Sequence, residues 1–123
     1  MELNIIQKRI YEVRGVRVML DFDLADLYLV ETKVLKQSVR RNLDRFPEDF
    51  MFELTPEEYN SLIISLRSQI VTSNEKGGRR YMPYAFTEHG VIMLASLLRS
   101  ELAINASIQI TRAFVAMRNF IMS

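Results

Sequence analysis

The chain has 123 residues, 49% hydrophobic and 25% charged, with a formal net charge of +1 and no cysteine. That length and balance suit one folded domain with its own core and argue against a disordered chain. The absence of cysteine excludes a disulfide framework and a thiolate metal site.

Met1 to Lys8 lacks the basic head and apolar run of a secretory leader. The longest apolar run, Gly90 to Leu98, falls far short of the roughly 20 residues of a membrane-spanning helix. A soluble, cytoplasmic protein with no membrane partner is the expectation.

Ile10–Val13 and Arg17–Leu20 flank Arg14-Gly15-Val16, which predicts a short β-hairpin. Asp21 or Asp23 is then placed to cap a helix reaching Tyr28, with Leu24 and Leu27 turned inward. A second helix starts near Thr32 and runs to Arg45, because Pro47 disfavours a helical residue before it. Its residues Leu35, Val39, Leu43 and Phe46 line the core side. Phe50–Leu54 reads as a buried strand. Thr55-Pro56-Glu57-Glu58 combines a hydroxyl cap, a first-turn proline and a capping-box glutamate, so a helix is expected over Pro56–Leu66.

Ser73–Gly78 is polar with paired glycines and reads as a loop or hairpin tip. Arg79–Phe86 follows as an extended segment that Pro83 confines to a sheet edge or a bulge. Thr87 caps a helix to about Leu98, and Glu101–Ile121 forms one long helix. Along it Ala103, Ala106, Ile110, Ala113, Phe114, Met117 and Ile121 make one apolar face, with Ile104, Ile108, Val115 and Met122 as a second stripe. So wide an apolar surface suggests a homodimer through Glu101–Ile121.

Charge is segregated along the chain. From Glu31 to Arg45 five cations stand against Glu31 and Asp44, whereas Glu48 to Glu58 holds five acids and no cation. A basic face on a nearly neutral molecule follows. Thr32, Lys33, Lys36, Gln37, Arg40 and Arg41 belong to the second helix, and all but the first are assigned to its outer side. Lys and Arg neutralise phosphates, Arg bonds guanine bidentately and Gln bonds adenine. The acidic helix before it, with Asp21, Asp23 and Asp26, is its support. Two helices joined by a tight turn are how small proteins enter the major groove, although Leu29 occupies the position where glycine is usual. Lys76-Gly-Gly-Arg-Arg-Tyr81 supplies a second basic element, in which Lys76, Arg79 and Arg80 form a wing reaching a flanking phosphate. A solvated helix face and an ordinary exposed hairpin tip explain the same residues without DNA.

No catalytic constellation emerges. His89 is the only histidine, and its neighbour Glu88 does not face it on a helix. Glu48-Asp49 and Glu57-Glu58 are better explained as surface and helix-capping acids than as magnesium ligands of a nuclease. Gly77-Gly78 lacks the continuation of a phosphate-binding loop. Neither enzyme activity, nor a metal, nor a cofactor is expected. The aromatic sets Tyr81, Tyr84, Phe86 and Phe46, Phe50, Phe52 are assigned to core packing, with base stacking as the lesser alternative.

Four blocks, Arg14–Tyr28, Val39–Phe52, Leu66–Ile70 and Gly77–Gly90, together resemble the ORF-six-N domain, a DNA-binding domain of phages and prophages akin to the KilA-N and Bro-N domains. The resemblance runs from about Ile10 to Arg118. It implies a DNA-binding module of the kind found at the N-terminus of antirepressor-like proteins. The chain stops inside an apolar helix, so a longer protein with a C-terminal region, or a protein partner, is expected.

Together these readings predict one α+β domain over residues 1–123, winged-helix-like, with a helix-turn-helix core, a small antiparallel sheet and a long C-terminal helix. Its expected function is sequence-specific binding of double-stranded DNA in transcriptional regulation. The alternative is an adaptor that captures a repressor without touching DNA.

Overall fold

The computed structural model of the protein describes residues 3–66 and 81–122. The fold is mixed α+β, with helices packed on both faces of a four-stranded antiparallel sheet. Strands β1 (Tyr11–Val13) and β2 (Val16–Leu20) form the predicted hairpin, while β3 (Met51–Glu53) and β4 (Tyr84–Phe86) complete the order β1-β2-β4-β3. The turn between β1 and β2 is Arg14-Gly15, with φ of 57° and 77°. Positive φ at both central residues matches the right-handed twist of a hairpin. Arg14 accepts that conformation while its guanidinium lies 4.1 Å from the Phe52 ring centroid and donates to Glu58 at 2.7 and 3.1 Å.

Pleating divides the strand residues between two cores. Val18, Leu20, Phe52 and Ala85 face one side, where Tyr59, Leu62 and Ile63 of α4 (Pro56–Leu66) cover them. Met19, Met51, Tyr84 and Phe86 face the other, larger core. That core is closed by α1 (Leu3–Gln7), α2 (Asp21–Tyr28), α3 (Thr32–Arg40), α5 (Glu88–Leu98) and α6 (Glu101–Met122). With both faces covered, Val18-Met19-Leu20 and Tyr84-Ala85-Phe86 are unbroken apolar runs instead of alternating ones.

The capping residues of α4 and α5 behave as the sequence predicts. Thr55 and Glu58 form a reciprocal capping box at 2.8 and 3.1 Å, and the Thr87 hydroxyl accepts from the Gly90 amide. Four expectations are corrected. First, neither Asp21 nor Asp23 caps α2: its N-cap is Leu20, because β2 runs into the helix without a loop. Second, the basic helix ends at Arg40 and not at Arg45; Asn42 donates to the Ser38 carbonyl at 2.8 Å, and Leu43–Arg45 forms a 3₁₀ turn. Third, the same break turns Leu43 outward, 54% exposed, whereas Leu35, Val39 and Phe46 are buried as expected. Fourth, Pro83 does not confine its segment to an edge, since β4 lies between β2 and β3. Proline is tolerated there because it precedes the strand, and its carbonyl accepts from the Leu54 amide at 3.0 Å.

Helix α1 has no counterpart among the predicted elements. At five residues it is too short to be stable alone. It packs against α6 with Ile6 fully buried, so tertiary contact explains it. On α6, Ala103, Ala106, Ile110, Ala113 and Phe114 are buried, as their spacing predicts. In the stripe beside them Ile104 is 49% and Ile108 43% exposed, while Val115 is half-buried.

Candidate nucleic-acid interface

Helices α2 and α3 are joined by Leu29-Val30-Glu31. The chain reverses at Leu29, which sits in the left-handed region with φ 58° and ψ 43°. Its amide donates to the Asp26 carbonyl at 3.3 Å, and the Val30 amide donates to the Ala25 carbonyl at 3.0 Å. These bonds satisfy the carbonyls left open at the end of α2, and a left-handed residue is what such a helix end needs. Leu29 thus takes the backbone shape usual for glycine there, with its side chain 75% exposed.

Helix α3 turns Leu35 and Val39 into the core. At 3.6 residues per turn, Gln37 lies about 180° from the mid-line between those two. Lys33 and Arg41 lie roughly 140° from that line on either side, and Arg40 and Val34 roughly 120° from it. Lys33, Arg40 and Arg41 are exposed and Gln37 is half-buried. Among the described residues none of these cations has an acidic partner, in contrast to Arg9, Arg14 and Arg118, which do. Thr32, the first residue of α3, is half-buried and lies roughly 40° from the core mid-line, so it is not on the outer arc.

Lys36 departs from its expected outward position. It sits only about 80° from the core mid-line, and its side chain is 13% exposed. Its ammonium lies 3.6 Å from Oδ2 of the buried Asp21, donates to the Met82 carbonyl at 3.1 Å, and rests 4.6 Å from the Tyr84 ring centroid. The long stem lets the charge reach a carboxylate on α2 and a carbonyl before β4, neither of which the spacing within α3 reveals. Lys76, Arg79 and Arg80, assigned to a wing, lie outside the described residues, as do Ser73–Gly78 and the Leu66–Ile70 block beyond Leu66.

One apolar residue that the sequence reading does not single out joins the outer surface. Val34, 44% exposed, shares the arc of Gln37 and Arg41. The helical wheel places it there, next in sequence to the buried Leu35.

The acids of α2 are used internally. Asp21 is 1% exposed, and its Oδ2 accepts from the Tyr84 amide at 2.8 Å. Arg9 pairs with Asp26 at 2.8 Å and lies 3.9 Å from Asp23. Burial pushes the Asp23 carboxyl up to about 6, Arg9 opposes this, and Asp26 and Asp21 add to it. Burial and the nearby Asp23 push the Tyr11 hydroxyl up to about 12. These groups hold α2 to the hairpin and to the segment after α1.

The Glu88 carboxylate pairs with Arg118 at 2.6 Å, while the His89 ring stacks on Phe50 with centroids 5.6 Å apart. Glu48 and Asp49 line a cleft of about 370 Å³ with Arg14, Val16, Phe52 and Thr87. Among the described residues no three His, Asp or Glu side chains converge as metal ligands, and no helix is long and apolar enough to cross a membrane.

Neither a curated protein nor a solved structure gives a significant match to this chain. A family model does, over residues 8–97, a stretch that holds all four strands, α2, α3, α4 and nearly all of α5 and leaves α6 beyond its end. The chain therefore belongs to the ORF6N domain family.

Proposed function

We propose that this domain binds double-stranded DNA as a regulatory module of phage or prophage origin, presenting the outer arc of α3 to the major groove. The observation that carries the reading is the arc itself: Lys33, Gln37, Arg40 and Arg41 on one side of a helix, with cations unpaired among the described residues. Lys and Arg on such a surface meet phosphates or guanine, and Gln37 at its centre suits adenine. Val34 beside them offers an apolar contact of the kind that thymine methyls accept. Membership in the ORF6N family agrees with a regulatory role. The chain is read as a binding module and not as an enzyme.

Titration of fluorescent duplex DNA at several salt concentrations tests this. Binding should weaken linearly on a log–log plot as salt rises, since each phosphate contact releases counterions. Affinity indifferent to salt, or an Arg40→Ala/Arg41→Ala variant that binds like the wild type, would overturn it.

A second reading concerns α6. Ile104 and Ile108, one turn apart and nearly half exposed, suit pairing of two copies through this helix. Two reading helices then lie roughly one DNA turn, about 34 Å, apart. Sedimentation at rising concentration distinguishes a dimer from a monomer. An adaptor that binds a repressor instead of DNA would retain a protein partner in a pull-down while showing no salt-dependent DNA affinity.

A further inference from the structure

Lys36 stands apart from the other cations of α3. Its ammonium joins three elements at one point: α3, which carries it; Asp21 in the first turn of α2; and Met82, two residues before β4. Asp21 closes the figure by accepting from the Tyr84 amide at 2.8 Å. The Tyr84 ring covers the ammonium from one side at 4.6 Å. An amine so enclosed has three donors and already directs them at a carboxylate, a carbonyl and a ring face. It is a poor phosphate ligand, because reaching a phosphate would mean leaving all three.

We infer that Lys36 is a positioning residue, a lock that fixes the roll of α3 against α2 and the approach to β4, and that it governs DNA affinity without contacting DNA. The inference rests on the nucleic-acid reading for its functional half and on geometry alone for its structural half. Roll matters because the outer arc is narrow. A rotation of one residue, about 100°, would carry Gln37 from its centre past the edge. The Lys36–Asp21 link is the charged contact that holds this angle, while Leu35 and Val39 supply apolar contacts that tolerate sliding.

Lysine acetylation of the wild-type chain, read by mass spectrometry with and without duplex DNA, tests the structural half without a variant. Lys33 should react at least tenfold faster than Lys36 in the free protein and be protected by DNA, while Lys36 stays slow in both. Equal reactivity of the two lysines in the free protein overturns the lock. The functional half is read from the slope of log affinity against log salt. Lys36→Gln should lower affinity about tenfold and leave the slope unchanged, and Lys36→Arg, which keeps the charge, should recover most of that loss. Arg41→Ala serves as the reference, with a slope reduced by about one. If Lys36→Gln reduces the slope as Arg41→Ala does, Lys36 contacts phosphate and the inference fails. Wild-type affinity in Lys36→Gln overturns it as well. If the wild-type chain has no DNA affinity, the nucleic-acid reading and the functional half fail together, and the acetylation rates still decide the lock.

Discussion

The hydroxyls of Tyr28 and Ser107, 79 positions apart in sequence, meet at 2.6 Å inside the larger core. Tyr28 is the last residue of α2 and Ser107 lies on α6, so this bond pins the residue just before the Leu29 turn to the longest helix. Both residues are nearly inaccessible, and burial pushes the Tyr28 hydroxyl up to about 12. Tyr28→Phe should cost about 1 kcal/mol, the usual net worth of such a bond, with the ring's packing retained. Chemical denaturation measures the loss. A variant as stable as the wild type would show that the hydroxyl pair contributes nothing net.

Leu29 holds φ 58° with its side chain 75% exposed. A residue with a Cβ pays roughly 1–2 kcal/mol to stay in that region, whereas the exposed side chain recovers little by burial. Leu29→Gly should therefore stabilise the chain, by about 0.5–1 kcal/mol once the greater freedom of unfolded glycine is included. Thermal melting reports the direction, and a lower midpoint would mean that the leucine makes a contact worth more than the strain.

Asp23 sets a pH dependence whose sign is opposite to that of a carboxylate held below its ordinary value, because burial outweighs its pairing with Arg9. Its carboxyl is raised from 3.8 to about 6 in the fold, mainly by burial. Below the unfolded value it is protonated in both states and exerts no effect. As pH rises through the window from about 4 to 6, the unfolded chain releases its proton first, so stability falls. Above that window the full penalty remains, up to about 3 kcal/mol at 1.36 kcal/mol per unit. Asp23→Asn should flatten this slope and raise stability at neutral pH. Denaturation curves between pH 4 and 7 check both effects, and an unchanged profile would assign the dependence to another group.

Gly90 lies in the first turn of α5, where an added Cβ would collide with the Phe50 carbonyl. That carbonyl also accepts from the Thr87 amide at 3.0 Å, so it cannot yield without loosening the start of the helix. Gly90→Ala should cost about 2–3 kcal/mol, the upper part of the range for overpacking. A melting midpoint within a degree of the wild type would show that β3 and α5 separate easily.

On the proposed reading, Gln37→Ala should relax base preference at one position by about 1–3 kcal/mol and leave the salt slope intact. Sequences selected from a random DNA pool by the two proteins provide the comparison. A uniform loss across all positions would place Gln37 away from base edges.

Much of the fold was legible because local rules acted without competition. Arg14-Gly15 offered the turn a hairpin needs, Thr55-Pro56 and Glu58 offered a complete helix start, and the alanines of α6 marked its buried side. The candidate site was legible in outline. Lys33, Gln37, Arg40 and Arg41 take the outer positions that helical spacing assigns them. Three exceptions share one cause, a distant partner that outweighed a local rule. Asp21 left its capping role for the Tyr84 amide, and Lys36 left the outer face for Asp21 and Met82. Pro83 sits beside an inner strand because its carbonyl, which the ring does not affect, makes the contact to Leu54.

By itself, the sequence determined the element types, the mixed α+β class, the segregation of charge and the kinship to the ORF6N family. Those depend on periodicity, caps and turn residues, each of which acts over a few positions. Tertiary structure alone decided where α3 ends, that α1 forms, that helices cover both faces of the sheet, and which lysine points inward. A long side chain on the flank of a helix has two destinations of similar reach. Which one it takes depends on a carboxylate and a carbonyl brought to it from elsewhere in the chain, and no local pattern encodes their arrival.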